Sequence, residues 1–100
     1  MITRFVSRHP GAADWAKRRA LPIDEFVAHL DMSSVVAGDI IVGTLPVHLV
    51  AAIVARGARY VHLALDLPAE ARGQELTVDD LDRSGARLTE VRCEVVGPWP

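Results

Sequence analysis

One cysteine, Cys93, is all the thiol chemistry in this 100-residue chain. An intrachain disulfide cannot form, and a four-cysteine zinc site is excluded. Positive charge is not in excess either: 11 Lys and Arg stand against 13 Asp and Glu, a formal net charge of −2. A coat for long DNA or RNA needs a strongly basic face, so that class is excluded. A small anionic ligand is not excluded, since a few local arginines and backbone amides suffice for one. The longest apolar region, Ile40 to Val54, is interrupted by Gly43, Pro46 and His48 and is too short to span a bilayer. Met1 to Val6 run straight into an apolar segment without a cleavage-site pattern, so no signal peptide is expected and a cytoplasmic location follows. The Walker lysine with its spaced glycines and the G-x-G-x-x-G fingerprint are both missing. No Ser-His-Asp order, Cys–His pairing or metal cluster is evident, so neither a cofactor nor a metal is expected.

What is present is a chain that is 50% apolar, enough for one small core. A single domain over residues 1–96 with a loose tail at 97–100 is expected. A domain this small buries roughly 60–65% of its unfolded surface, so further burial in a homodimer is expected. Apolar runs alternate with helical patterns. Strands are expected at Ile2–Val6, Phe26–Leu30, Ile40–Val42, Tyr60–Leu65 and Leu88–Val96. Pro10 suits the first turn of one helix, and Val47, Val50, Ala51 and Val54 share a face of a second that stops at Gly57. Thr77-Val78-Asp79-Asp80 has the form of a capping box and opens a short third helix. A polar loop with Pro68 and Gly73 precedes it.

Alternating strands and helices give an α/β fold: a small Rossmann-like three-layer sandwich around a mostly parallel sheet of about five strands. In the order 2-1-3-4-5, with the fifth strand antiparallel at the edge, the first and third strands lie side by side. Their C-terminal ends then form the topological switch point, where such sheets bind ligands. Ser7-Arg8-His9-Pro10-Gly11 and Gly43-Thr44-Leu45-Pro46-Val47-His48 occupy those ends. Side by side, they make one anion site at two helix N-termini.

Each residue of that site has two readings. Arg8 either grips a phosphate with its guanidinium fork or is a surface arginine at a strand end. His9 either moves a proton at the ligand or caps its own helix. Gly43 and Thr44 either cradle a phosphate with close backbone and a hydroxyl or form an ordinary capped turn. Pro46 opens the helix, and His48 in its first turn reaches the site mouth or is solvated. His29 and Asp31 bracket Leu30, but two ligands alone are a weak metal signal. His62 reads as a satisfied core histidine, Trp15 as core or dimer contact, and Cys93 as structural on an edge strand.

Ser7-Arg8-His9-Pro10-Gly11-Ala12 with Trp15, His29-Leu30-Asp31, Gly43 to His48, Ala55-Arg56-Gly57-Ala58-Arg59-Tyr60 and Leu65-Asp66-Leu67-Pro68 together carry a resemblance over nearly the whole chain. The sequence resembles the small stand-alone CRISPR-associated proteins of type III systems that are related to CARF domains. The resemblance implies a CARF-like sheet, a homodimer, and a cyclic oligoadenylate bound across the two-fold axis. It further implies ring nuclease activity, typically on cyclic tetra-adenylate and without a metal, through attack of a ribose 2′-hydroxyl on the neighbouring phosphate. On this reading Arg8, His9 and His48 carry the catalysis, and Ser7, Arg8, Gly11, Gly43, Thr44 and Pro46 bind the ligand. A non-catalytic module that sequesters the same ring, and an accessory interaction protein, are the alternatives.

Overall fold

The computed structural model describes residues 1–67, 69–71 and 73–100. Pro68, expected in a polar loop, lies outside the described residues. The order is β1 (Thr3–Val6), α1 (Pro10–Arg18), β2 (Glu25–Val27), β3 (Ile40–Gly43), α2 (Val47–Ala55), β4 (Arg59–Ala64), α3 (Val78–Arg83) and β5 (Arg87–Val91). Short 3-10 turns at Met32–Ser34 and Ala69–Ala71 interrupt the loops. The five strands form one sheet in the order β2-β1-β3-β4-β5, all parallel except β5, which runs antiparallel to β4. This is the expected α/β architecture.

Two cores explain the three layers. Phe5, Val42 and Leu63 point to the face covered by α1 and α3, where they meet Ala12, Trp15, Ala16 and Leu81. Val6, Ile41 and Tyr60 point to the other face, under Val50 and Ile53 of α2. The central strand β3 is buried on both faces, which is why Ile40-Ile41-Val42 is apolar without alternation. Trp15 belongs to the first core and donates its indole N–H to Asp82 at 3.1 Å, tying α1 to α3. The inward stripe of α2 is Val50, Ala51 and Ile53. Val47, expected on that stripe, is exposed because it stands in the first turn, beyond the end of β3.

Helices α1, α2 and α3 end the same way. At the close of α2, Ala58 N–H reaches the Ile53 carbonyl and Gly57 N–H the Val54 carbonyl, with Gly57 at φ +82°. Gly85 and Ala86 repeat the pattern after α3. Ala20 and Leu21 repeat it after α1, but Ala20 carries a Cβ at φ +53°. This is the paired 6→1 and 5→2 closure that glycine favours. Ala20→Gly is therefore expected to stabilise the fold by about 1 kcal/mol, read as a rise in Tm of about 4–8 °C.

The capping box forms as expected: Asp80 N–H donates to Thr77 Oγ1 at 3.1 Å and Thr77 N–H to Asp80 Oδ2 at 2.9 Å. Two strand ends fall three or more residues short of expectation, and the other strand boundaries lie within one residue of it. β2 ends at Val27 rather than Leu30, because the Asp31 carboxylate accepts from the Ser33 amide and hydroxyl and starts the Met32–Ser34 turn. β5 ends at Val91 rather than Val96, because Val91 is paired with Tyr60 and β4 has only Arg59 left beyond it. Cys93 thus lies past the strand, its Sγ 3.6 Å from the Val47 carbonyl.

The base of the sheet is held by a buried charge. Asp39, at the foot of β3, accepts from Ile2 N–H at 2.9 Å, Val36 N–H at 3.0 Å and Arg4 Nη1 at 3.3 Å. The Val36 and Ile2 amides, with the Arg4 charge, hold its carboxyl below the ordinary carboxylate value despite burial. Among the described residues, no helix is long and apolar enough to cross a membrane.

Candidate binding cleft

At the opposite end of the sheet, the chain leaves β1 through a short hydrogen-bonded bend. Ser7 N–H donates to the Val27 carbonyl at 2.9 Å and keeps β1 beside β2. Ser7 Oγ then accepts from His9 N–H at 3.1 Å and turns the chain into α1. His9 stands at the N-cap position in extended backbone, with Pro10 first in the helix. Its imidazole makes no capping bond, so the self-capping reading is not realised.

β1 and β3 are paired in register, Val6 beside Gly43, so their C-terminal ends are neighbours. Between them opens a cleft of about 600 Å³. Ser7, Arg8 and His9 line one side; Thr44, Leu45 and Pro46 line the other. Leu30, Leu49, Leu63, Leu65, Leu76 and Leu81 contribute apolar surface, and His29 joins from the loop after β2. The volume lies within the roughly 300–1,000 Å³ usual for small-ligand sites.

The charge of this cleft is one-sided. Among the described residues its lining holds a guanidinium and two imidazoles but no carboxylate, although the chain as a whole is acidic. Arg8 is exposed and makes no ion pair or hydrogen bond among the described residues. Arg4, Arg18, Arg59, Arg83 and Arg87, by contrast, each pair with a carboxylate. No group of three His, Cys, Asp or Glu side chains able to hold a metal occurs among the described residues.

Residues 4–94 match the family model described as "Putative CRISPR-associated protein (Cas_VVA1548)". The chain belongs to this CRISPR-associated family. No curated protein and no solved structure matches it.

Within this CRISPR-associated family member, several residues expected at the ligand have packing roles. A Cβ on Gly11 would lie 1.9 Å from the Leu76 carbonyl oxygen, so this glycine lets α1 approach the segment before α3. A Cβ on Gly43 would lie 2.8 Å from the Val6 carbonyl oxygen, so that glycine serves the close approach of β1 and β3. Neither lines the cleft, and nor does His48, which is exposed on α2. Thr44 does line it, but its hydroxyl donates to the Leu63 carbonyl at 2.6 Å. The Leu45 amide is also engaged, donating to the Tyr60 hydroxyl at 3.0 Å. Thr44 and Leu45 of the β3–α2 segment are thus held to β4, while Ser7, Arg8 and His9 line the β1 side of the cleft with His29 beside them.

Asp31, which the spacing sets beside His29 as a weak metal signal, is spent on its own turn, and the Ser33 bonds lower its carboxyl below the ordinary value. His29 is left on the cleft without it. The sequence pattern places His29 near the end of the second strand, and the early end of β2 at Val27 puts it in the loop that lines the cleft. Tyr60, by contrast, gave no sequence signal beyond the alternation of its strand. Burial pushes its phenol above the ordinary value, so it stays a hydrogen-bond donor.

Proposed function

We propose that the chain is a metal-independent ring nuclease that binds a cyclic oligoadenylate, in the first instance cyclic tetra-adenylate, and opens it. The observation that carries this reading is the cleft at the switch point, lined by Arg8, His9 and His29 and, among the described residues, by no carboxylate. Its apolar floor suits a base and its cationic rim suits a phosphate. The family is CRISPR-associated, and the sequence resemblance supplies the ring as ligand.

A ring with two-fold symmetry calls for a two-fold site, and one chain supplies half of it. The start of α2 offers exposed apolar surface for a second copy. Val47 is 72% exposed there, and the chain that passes it at Cys93 continues into Val95, Val96 and Trp99, all at least 80% exposed.

In the proposed step the ribose 2′-oxygen attacks the adjacent phosphorus and the 5′-oxygen leaves. The new bond is O2′–P and the broken one P–O5′. One imidazole of the His9 and His29 pair takes the 2′ proton, and the other, protonated, gives a proton to the 5′-oxygen. Arg8 neutralises the charge gathered on the phosphoryl oxygens. His48 has no part in this scheme.

Thermal unfolding with cyclic tetra-adenylate, followed by recovery of the nucleotide, separates the readings. Saturating ring at about 100 times Kd adds about 2.7 kcal/mol of stability, and the proposal expects linear nucleotide to be recovered. A shift in Tm with the ring intact makes the chain a sequestering module. No shift leaves an accessory interaction protein. His9→Ala and His29→Ala are each expected to lower kcat by about 10²-fold or more and to remove one limb of a bell-shaped pH–rate profile. Both limbs surviving in either variant would sink that pairing.

A further inference from the structure

The Tyr60 hydroxyl lies beneath the β3–α2 wall and meets three polar groups. Leu45 N–H donates to it at 3.0 Å, the Gly43 carbonyl oxygen is 2.8 Å away, and His62 Nδ1 is 2.7 Å away. A phenol has one hydrogen to give, and a carbonyl oxygen can only accept. The Gly43 oxygen therefore takes the phenol hydrogen. None remains for His62, so its Nδ1 is the donor at 2.7 Å. In the neutral ring the proton sits on Nδ1 and the lone pair on Nε2. The bonds run from His62 to Tyr60 to Gly43, with Leu45 as a second donor to the same oxygen.

These bonds begin where the sheet ladder stops. β3 and β4 are paired up to Gly43 and His62 and no further. The next residues, Thr44 and Leu45, are held to β4 by side chains: Thr44 Oγ1 to the Leu63 carbonyl and Leu45 N–H to Tyr60. The same stretch, through Pro46, forms one wall of the cleft.

We propose that Tyr60 is a positioning residue for the cleft: its hydroxyl, oriented by the Nδ1–H tautomer of His62, holds the Thr44–Pro46 wall in the shape that takes the ligand. The proposal rests on the ring-binding reading for the identity of that ligand. The hydrogen-bond assignment stands apart from it.

Nitrogen-15 NMR of the free protein, at the alkaline end of the His62 titration, reads the assignment directly. Nδ1 should carry the proton and Nε2 the lone pair, and Tyr60→Phe should release the ring to the Nε2–H form. Titration with cyclic tetra-adenylate reads the consequence. Tyr60→Phe and His62→Leu are each expected to raise KM about tenfold with kcat within about twofold of wild type. His62→Asn, whose side-chain amide can donate from near the Nδ1 position, should bring KM back to within about threefold of wild type.

An Nε2–H tautomer in the wild-type protein overturns the proposal. So does a His62→Leu protein with wild-type KM, or His62→Asn no better than His62→Leu. If Tyr60→Phe fails to fold, the two His62 variants still decide, because both keep the phenol. If wild-type protein neither binds nor opens the ring, the ring reading fails, and the NMR measurement still decides the Tyr60 assignment.

Discussion

Arg8→Ala is expected to lower kcat/KM for cyclic tetra-adenylate by about 10²-fold, the usual cost of losing one group that stabilises developing charge. The same substitution should leave the fold intact. Arg8 is exposed and pairs with no described residue, so Tm should move by no more than about 2–4 °C, as for an ordinary surface change. That combination separates a ligand contact from a structural arginine such as Arg4, whose guanidinium is engaged with Asp39. Arg8→Lys retains the charge but loses the bidentate fork, and should recover only part of the rate. Steady-state kinetics beside thermal unfolding checks all three expectations. A wild-type kcat/KM in Arg8→Ala would remove Arg8 from the site.

Asp39→Ala is expected to produce the largest loss of stability, about 3–5 kcal/mol, because it strips the partner from a half-buried arginine and from two backbone amides at once. Against the 5–15 kcal/mol that holds a typical domain together, this is a large share. It should appear as a fall in Tm of roughly 15 °C or more. The pH dependence has a definite sign. The folded-state value of the Asp39 carboxyl lies below the ordinary 3.8, so its contribution is present in full above that value. It is lost as pH falls through the lowered folded value. Wild-type protein should therefore lose stability on acidification below about pH 4 more steeply than Asp39→Asn, which has no proton to take up there. Denaturant unfolding across that range checks it, and parallel curves for the two proteins would contradict it.

The parts of the fold legible in the sequence are those set by local pattern. Ile40-Ile41-Val42 declares a strand buried on both faces, Thr77 to Asp80 declares a helix start, and Gly57 and Gly85 close helices. From these the strand order follows by the rules of parallel sheets, and with it the meeting of Ser7–His9 with Thr44–Pro46. What the sequence does not carry is the choice of partner across distance. Thr44 finds the Leu63 carbonyl 19 positions away, and Trp15 finds Asp82 at 67. Gly11 and Gly43 look like phosphate glycines, yet each is required by a carbonyl oxygen from another segment, Leu76 or Val6. His29 was readable as a weak metal ligand beside Asp31, and only the early end of β2 turns it to the cleft. Strand ends fail for a related reason: β5 stops where its neighbour runs out, not where its own alternation does.

The central claim is that this cleft opens a cyclic oligoadenylate by internal transesterification. Its most direct test uses cyclic tetra-adenylate in large excess over protein, with EDTA present and the products resolved by chromatography and mass. Complete conversion over many turnovers to a linear nucleotide ending in a 2′,3′-cyclic phosphate is expected. That product has the mass of the ring itself, since no water is consumed. Recovery of intact ring, or of a first product heavier by one water, would contradict it.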